Sequence, residues 1–95
     1  WRTSVRVKIL SKYWTFMRVK DLKNKGGAYG QIEHPEKKGK TLKVDDSLSD
    51  RQELEIIIHE FLHGADWSKD EEWIEETSDD LSRFLWRLGY RKCES

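Results

Sequence analysis

Residues 49–64, SDRQELEIIIHEFLHG, carry the reading on which the fold depends. Ser49 followed three residues later by Gln52 is a capping box: the serine hydroxyl accepts an early helical N–H, and the glutamine reaches back to the serine N–H. Leu54, Ile57, Ile58, Phe61 and Leu62 then recur at helical spacing, and Gly64 can end or weaken the helix. Beyond it, Ser68-Lys69-Asp70-Glu71 repeats the capping-box pattern and predicts a second helix over 68–89. That helix reads with Ile74, Leu81, Phe84, Leu85 and Leu88 on its apolar face and Gly89 as its stop. Asp70, Glu71 and Glu72 at its start, with Arg83 and Arg87 late, follow the order the helix dipole favours.

Upstream of residue 49 the period changes to two. Val5, Val7 and Ile9 alternate with Arg6 and Lys8 over Ser4 to Ile9, the pattern of a half-buried strand. Tyr13 to Leu22 reads as a second extended segment, Lys23-Asn24-Lys25-Gly26-Gly27 as a turn, and Tyr29 to Glu33 as a return strand. Lys40 to Val44 reads as a further strand. The predicted fold class is α+β: a single domain over 1–95 in which 1–48 form a small, mostly antiparallel sheet. The helix at 49–65 and the second, C-terminal helix follow it.

Composition bounds what such a domain does. At 95 residues there is room for one core, and 36% hydrophobic residues with five Trp are enough to fill it, which excludes a disordered chain. No apolar run exceeds three residues, so no membrane span is expected. Beginning at Trp1 rather than Met, the chain reads as trimmed, and a removed leader stays open. The single cysteine, Cys93, allows no internal disulfide, which suits a reducing compartment, and reads as an incidental tail thiol. The zero net charge hides a split: residues 1–43 sum to +9 and residues 44–95 to −9.

Chemistry concentrates in His59-Glu60-Phe61-Leu62-His63. One helical turn separates the two histidines, so both project from one face and can grip one metal ion, zinc being the natural choice for neutral imidazole. Glu60, rotated about 100° from His59, is placed to take a proton from an activated water without being a ligand. With three His and ten Glu in the chain, HExxH arises by chance about one time in a hundred. The competing reading, a surface helix with two solvated histidines, fits poorly with Ile56, Ile57 and Ile58 just before the motif. A catalytic zinc site needs a third protein ligand. If Leu81 is the centre of the second helix's apolar face, Glu75 lies about 120° to one side and Glu76 about 140° to the other. Ser78 and Ser82 flank Glu75 and permit close helix approach, which favours Glu75 as ligand and Asp79 as the group that orients a ligand histidine. Glu76 with Asp80 stays open as the alternative register.

HEFLHGADW followed by WIEETSDDLSRFLWRLGY, with YGQIEHP and GKTLKVDDSL ahead of it, resembles the small zincin-like metallopeptidase domains of bacteriophages and bacteria. The resemblance covers nearly the whole chain. It implies a minimal gluzincin, with His59, His63 and Glu75 on zinc, Glu60 as general base and Asp79 one turn on. It also implies a peptide or protein substrate laid along an edge strand, either Tyr29 to Glu33 or Lys40 to Val44. The cytoplasm of a bacterium or a phage-infected cell is the implied location. The chain has no room for the further subdomain that supplies an oxyanion-stabilising His or Tyr in larger members. His34, Tyr29 and Tyr90 are its remaining donors for that role, although His34 reads first as an ordinary exposed loop histidine and the two tyrosines by default as core or rim residues. Trp14, Trp67, Trp73 and Trp86 read as packing between sheet and helices.

A different class of function also fits the charge split. The basic residues Arg6, Lys8, Lys12, Arg18, Lys20, Lys23, Lys25, Lys37, Lys38, Lys40 and Lys43 would form a sheet face for nucleic acid or a protein partner, with zinc as a structural staple.

Overall fold

The computed structural model describes residues 4–92, so Cys93 and Trp1 lie outside it. Its organising element is α2, Asp50–Ala65, entered through the predicted capping box. The Gln52 N–H donates to the Ser49 hydroxyl at 3.3 Å, and the Ser49 N–H donates to Gln52 Oε1 at 3.2 Å. One side of α2 packs on a four-stranded sheet and another on α3, Glu71–Leu88.

The sheet contains β1 (Ser4–Ile9), β2 (Lys12–Val19), β3 (Gly30–Ile32) and β4 (Thr41–Asp45) in the order β1-β2-β4-β3. It is mixed: β1–β2 and β3–β4 are antiparallel, but β2 and β4 run parallel. The reason lies in two turns that composition disguised. Ile9 pairs with Lys12, so Leu10 and Ser11 alone turn the first hairpin, both at positive φ (47° and 71°), without the Asn or Gly such turns favour. The Asn24-Gly26 region, expected to turn a hairpin, instead forms a short helix α1 (Leu22–Gly26) closed by Gly27 at φ +80°. That helix carries the chain away from β2, and β4 takes the place beside it.

The alternation of β1 and β2 sets the core. Ile9, Trp14, Leu42 and Val44 are buried, with Phe16, Ile32, Ile56, Ile57 and Phe61 packed against them. Trp14 also ties β2 to the end of β3, since its indole N–H donates to the Glu33 carbonyl at 3.0 Å. Burying one such ring removes about 200 Å² from water, worth roughly 5 kcal/mol before entropy. Gly64 is buried within α2 and does not end it: a Cβ there would stand 2.8 Å from Ile32 Cδ1 and 3.0 Å from Ile9 Cδ1. The glycine lets helix and sheet close up.

α3 departs from expectation at its start and on its face. Asp70 is the N-cap and makes no side-chain cap bond, while the Ser68 hydroxyl turns back to Asp66 Oδ1 at 3.2 Å, so the second capping box does not form. The buried residues of α3 are Ile74, Ser78 and Ser82, about 60° round the helix from Leu81. Leu81, Phe84 and Leu88 face outward, 39%, 58% and 59% exposed. Of the tryptophans among the described residues, Trp14 alone is buried in the core; Trp67 and Trp73 are exposed, and Trp86 lies under the Arg91 guanidinium at 3.4 Å. Among the described residues no helix is long and apolar enough to cross a membrane.

Arg18 on β2 points inward, where its guanidinium donates to both carboxylate oxygens of Glu53 on α2 at 2.8 and 2.9 Å. Both side chains are largely buried, so removing one partner strands a charge. Glu53→Ala should therefore lower the unfolding free energy by about 3 kcal/mol in a urea titration. A loss below about 1 kcal/mol would show that the pair does not hold helix to sheet.

Candidate metal site

The two histidines of α2 converge as their spacing dictates. His59 Nε2 and His63 Nε2 stand 3.2 Å apart, and both rings are partly buried between α2 and α3. The third member is Glu71. Its Oε1 lies 3.0 Å from His59 Nε2 and its Oε2 3.0 Å from His63 Nε2. His59, His63 and Glu71 are the only group of three or more potential metal ligands among the described residues.

Glu75, the expected third ligand, is exposed and outside this group, and so is Glu76. Helix register explains the shift. The helices run antiparallel, and near the start of α2 Arg51 meets Ser82 Oγ at 3.0 Å and Asp79 Oδ1 at 3.8 Å. Moving eight to twelve residues up α2, to His59 and His63, requires moving about as far down α3, which leads to its first turn and Glu71. Glu71 also lies on the stripe of Ile74, Ser78 and Ser82 that faces α2, whereas Glu75 stands about 60° off the centre of that stripe. Ser78 and Ser82 do mark close approach, as expected, with both side chains fully buried. Asp79 does not orient a histidine, because its carboxylate is held by Arg83 at 3.0 Å and by Arg51.

Donor spacing tests whether this set suits a metal. Ligands at 2.0–2.1 Å in a tetrahedral zinc shell stand about 3.3 Å from one another. The two imidazole nitrogens and the carboxylate oxygens already stand at 3.0–3.2 Å. Two imidazole nitrogens and a carboxylate that converge in this way can share one cation. The donor set fits.

Glu60 flanks this group on the sheet side. A Cβ on Gly30 would stand 3.0 Å from Glu60 Cγ and 3.2 Å from its Oε2, so β3 runs against the carboxylate at a distance only glycine allows. Burial pushes the Glu60 carboxyl up; His59 pulls it down and Glu71 adds to the rise. An open recess lined by Gln31, Ile32, Glu33, Glu60, His63 and Trp67 gives access to it. β3 is an edge strand, whereas β4, the other strand considered for peptide pairing, is interior. The Tyr29 carbonyl and the Glu33 N–H bond to β4, so by antiparallel alternation the N–H and C=O groups of Gly30 and Ile32 face the open edge.

The other candidates separate cleanly. His34 packs edge-on against Trp67 with ring centroids 4.9 Å apart, and its Nδ1 accepts the Glu36 N–H at 3.1 Å, which leaves Nε2 as the protonated nitrogen. Tyr90 lines a pocket with Asp50 and Glu53 at the opposite end of α2 and is remote from the histidines. Tyr29 lies under Lys23, whose Nζ is 5.4 Å from the ring centroid. The proposed basic face is also reduced: Arg18 pairs with Glu53, Lys12 with Glu36 and Lys37 with Glu33.

Glu33 fixes the strand beside the recess. Lys37, then the Thr41 hydroxyl and N–H, hold its carboxyl down to about 2 from an ordinary 4.5. A carboxyl that binds its proton less readily when folded stabilises the fold fully above about pH 4.5 and loses that contribution as pH falls toward 2. Because Lys37 is mostly exposed, screening limits the contribution to about 1 kcal/mol. An NMR titration should find Glu33 near 2 and show it rising in Lys37→Ala; an ordinary value in both proteins would contradict this account.

Comparison with family models, curated proteins and solved structures returns no match, so the reading of this site rests on its own geometry.

Proposed function

We propose that this chain is a zinc-dependent hydrolase of peptide bonds, with His59, His63 and Glu71 holding the metal and Glu60 as general base. The observation that carries the reading is the triangle of donor atoms at 3.0–3.2 Å beside a carboxyl pushed up by burial. Zinc bound there supplies Lewis acidity toward a carbonyl oxygen and toward water. Glu60 takes the proton from the attacking water, and burial raises its proton affinity above that of a solvated carboxylate. It then returns the proton to the departing amine. The exposed backbone groups of Gly30 and Ile32 hold an extended peptide as an added strand, so its scissile carbonyl passes Glu60 and His63. The recess is shallow and lined by few side chains, which favours a limited set of protein or peptide substrates over broad proteolysis.

A second reading, a zinc-stapled binding module, draws on the sheet face turned away from α2. That face exposes Arg6 and Lys8 around Tyr13, with Arg6 4.0 Å above its ring, and carries Lys43 further along. Those three cations with one aromatic would bind nucleic acid weakly and with strong salt dependence.

Purified protein should contain one zinc per chain, and His59→Ala should lose it. Glu60→Gln should keep the metal and lose cleavage of unfolded protein substrates by at least about a hundredfold. A wild-type chain without stoichiometric zinc would refute the metal assignment. Equal cleavage by wild type and Glu60→Gln would refute the general base.

A further inference from the structure

α3 carries two stripes and the monomer covers one. Ile74, Ser78 and Ser82 face α2, while Leu81, Phe84 and Leu88 lie about a quarter turn away and are 39–59% exposed. Three large apolar side chains over two turns form a continuous ridge. Beside it Asp80, Arg83, Phe84, Arg87 and Leu88 line one shallow depression. Arg83 is already engaged by Asp79 at 3.0 Å, but Asp80 and Arg87 form no ion pair among the described residues.

The charges beside the ridge are ordered. Asp80 and Arg87 sit two turns apart on the same flank, with Phe84 between them. We propose that a second copy of this chain docks on this ridge, α3 against α3 and antiparallel, about a twofold axis near Phe84. That arrangement sets Asp80 of one copy against Arg87 of the other and repeats the pair by symmetry. Leu81 of each helix then lies beside Leu88 of its mate, and the two Phe84 rings meet at the centre. A parallel arrangement puts the two charged flanks on opposite sides of the contact and forms no Asp80–Arg87 pair. The flank of the ridge is self-complementary in charge. The metal site lies at the first turn of α3 on its other stripe, so pairing leaves the recess beside Glu60 open.

Sedimentation equilibrium on the purified chain tests this directly. A small helix-on-helix contact should give a monomer–dimer equilibrium with Kd on the order of 10–100 μM. Phe84→Glu should weaken it by about thirtyfold or more, as expected for a central aromatic anchor. Asp80→Arg and Arg87→Asp should each weaken it by about tenfold, and the double variant should recover to within about threefold of wild type. Circular dichroism confirms that each variant is folded, and Leu88→Ser replaces Phe84→Glu if that chain unfolds. A wild type that stays monomeric at several hundred micromolar overturns the proposal. So does a dimer indifferent to the ridge substitution, or a double variant without recovery.

Discussion

Helix α2 has to satisfy two neighbours at once, and the rest of the molecule follows from that constraint. Toward the sheet it presents Ile56, Ile57, Phe61 and Ala65, and it approaches closely because position 64 has no side chain. Toward α3 it meets Ser78 and Ser82, which are small enough to disappear into the contact. Arg18 and Glu53 clamp the start of the helix to β2 with two hydrogen bonds in a largely buried setting. A helix fixed on both sides holds its side chains in one orientation, which a metal-binding pair needs.

The location of the donor group then follows from direction and length. A short connection from Ala65 to Glu71 forces α3 to run back along α2, so the first turn of α3 meets the last turns of α2. His59 and His63 occupy those turns, and Glu71 faces them across the gap. β3 meets the same end of α2 from the other side, brought near by Gly30. Basic sheet and acidic helices thus meet with opposite charges in contact at Arg18 and Glu53.

Much of this was legible in the sequence because it rests on local rules. The β1 alternation, the Ser49–Gln52 capping box and the i,i+4 histidines each follow from a backbone period and hold at the expected residues. What escaped depends on long-range choices. Leu10 and Ser11 turn a hairpin without turn-forming residues, and the Asn24 region becomes a helix, so the parallel β2–β4 pairing has no local signature. The carboxylate found beside the two histidines is Glu71 rather than the expected Glu75, for an instructive reason. Glu71 matched a capping box and a favourable dipole position, so its charge already had a use. Leu81, Phe84 and Leu88 read as the buried face by their spacing, yet they are exposed. The signal that could have corrected both was the Ile74, Ser78, Ser82 stripe, because small residues mark a tight helix contact and Glu71 continues that stripe.

The assignment of Glu71 is where the account is most exposed, since it moves one ligand by a helical turn from the position that pattern alone suggests. Zinc affinity measured by competition with a chromophoric chelator, on Glu71→Gln and Glu75→Gln side by side, tests it most directly. The account predicts that Glu71→Gln loses more than the ten- to hundredfold typical of a group outside the ligand shell, while Glu75→Gln binds as wild type. The reverse pattern, or equal affinity in both variants, would contradict it.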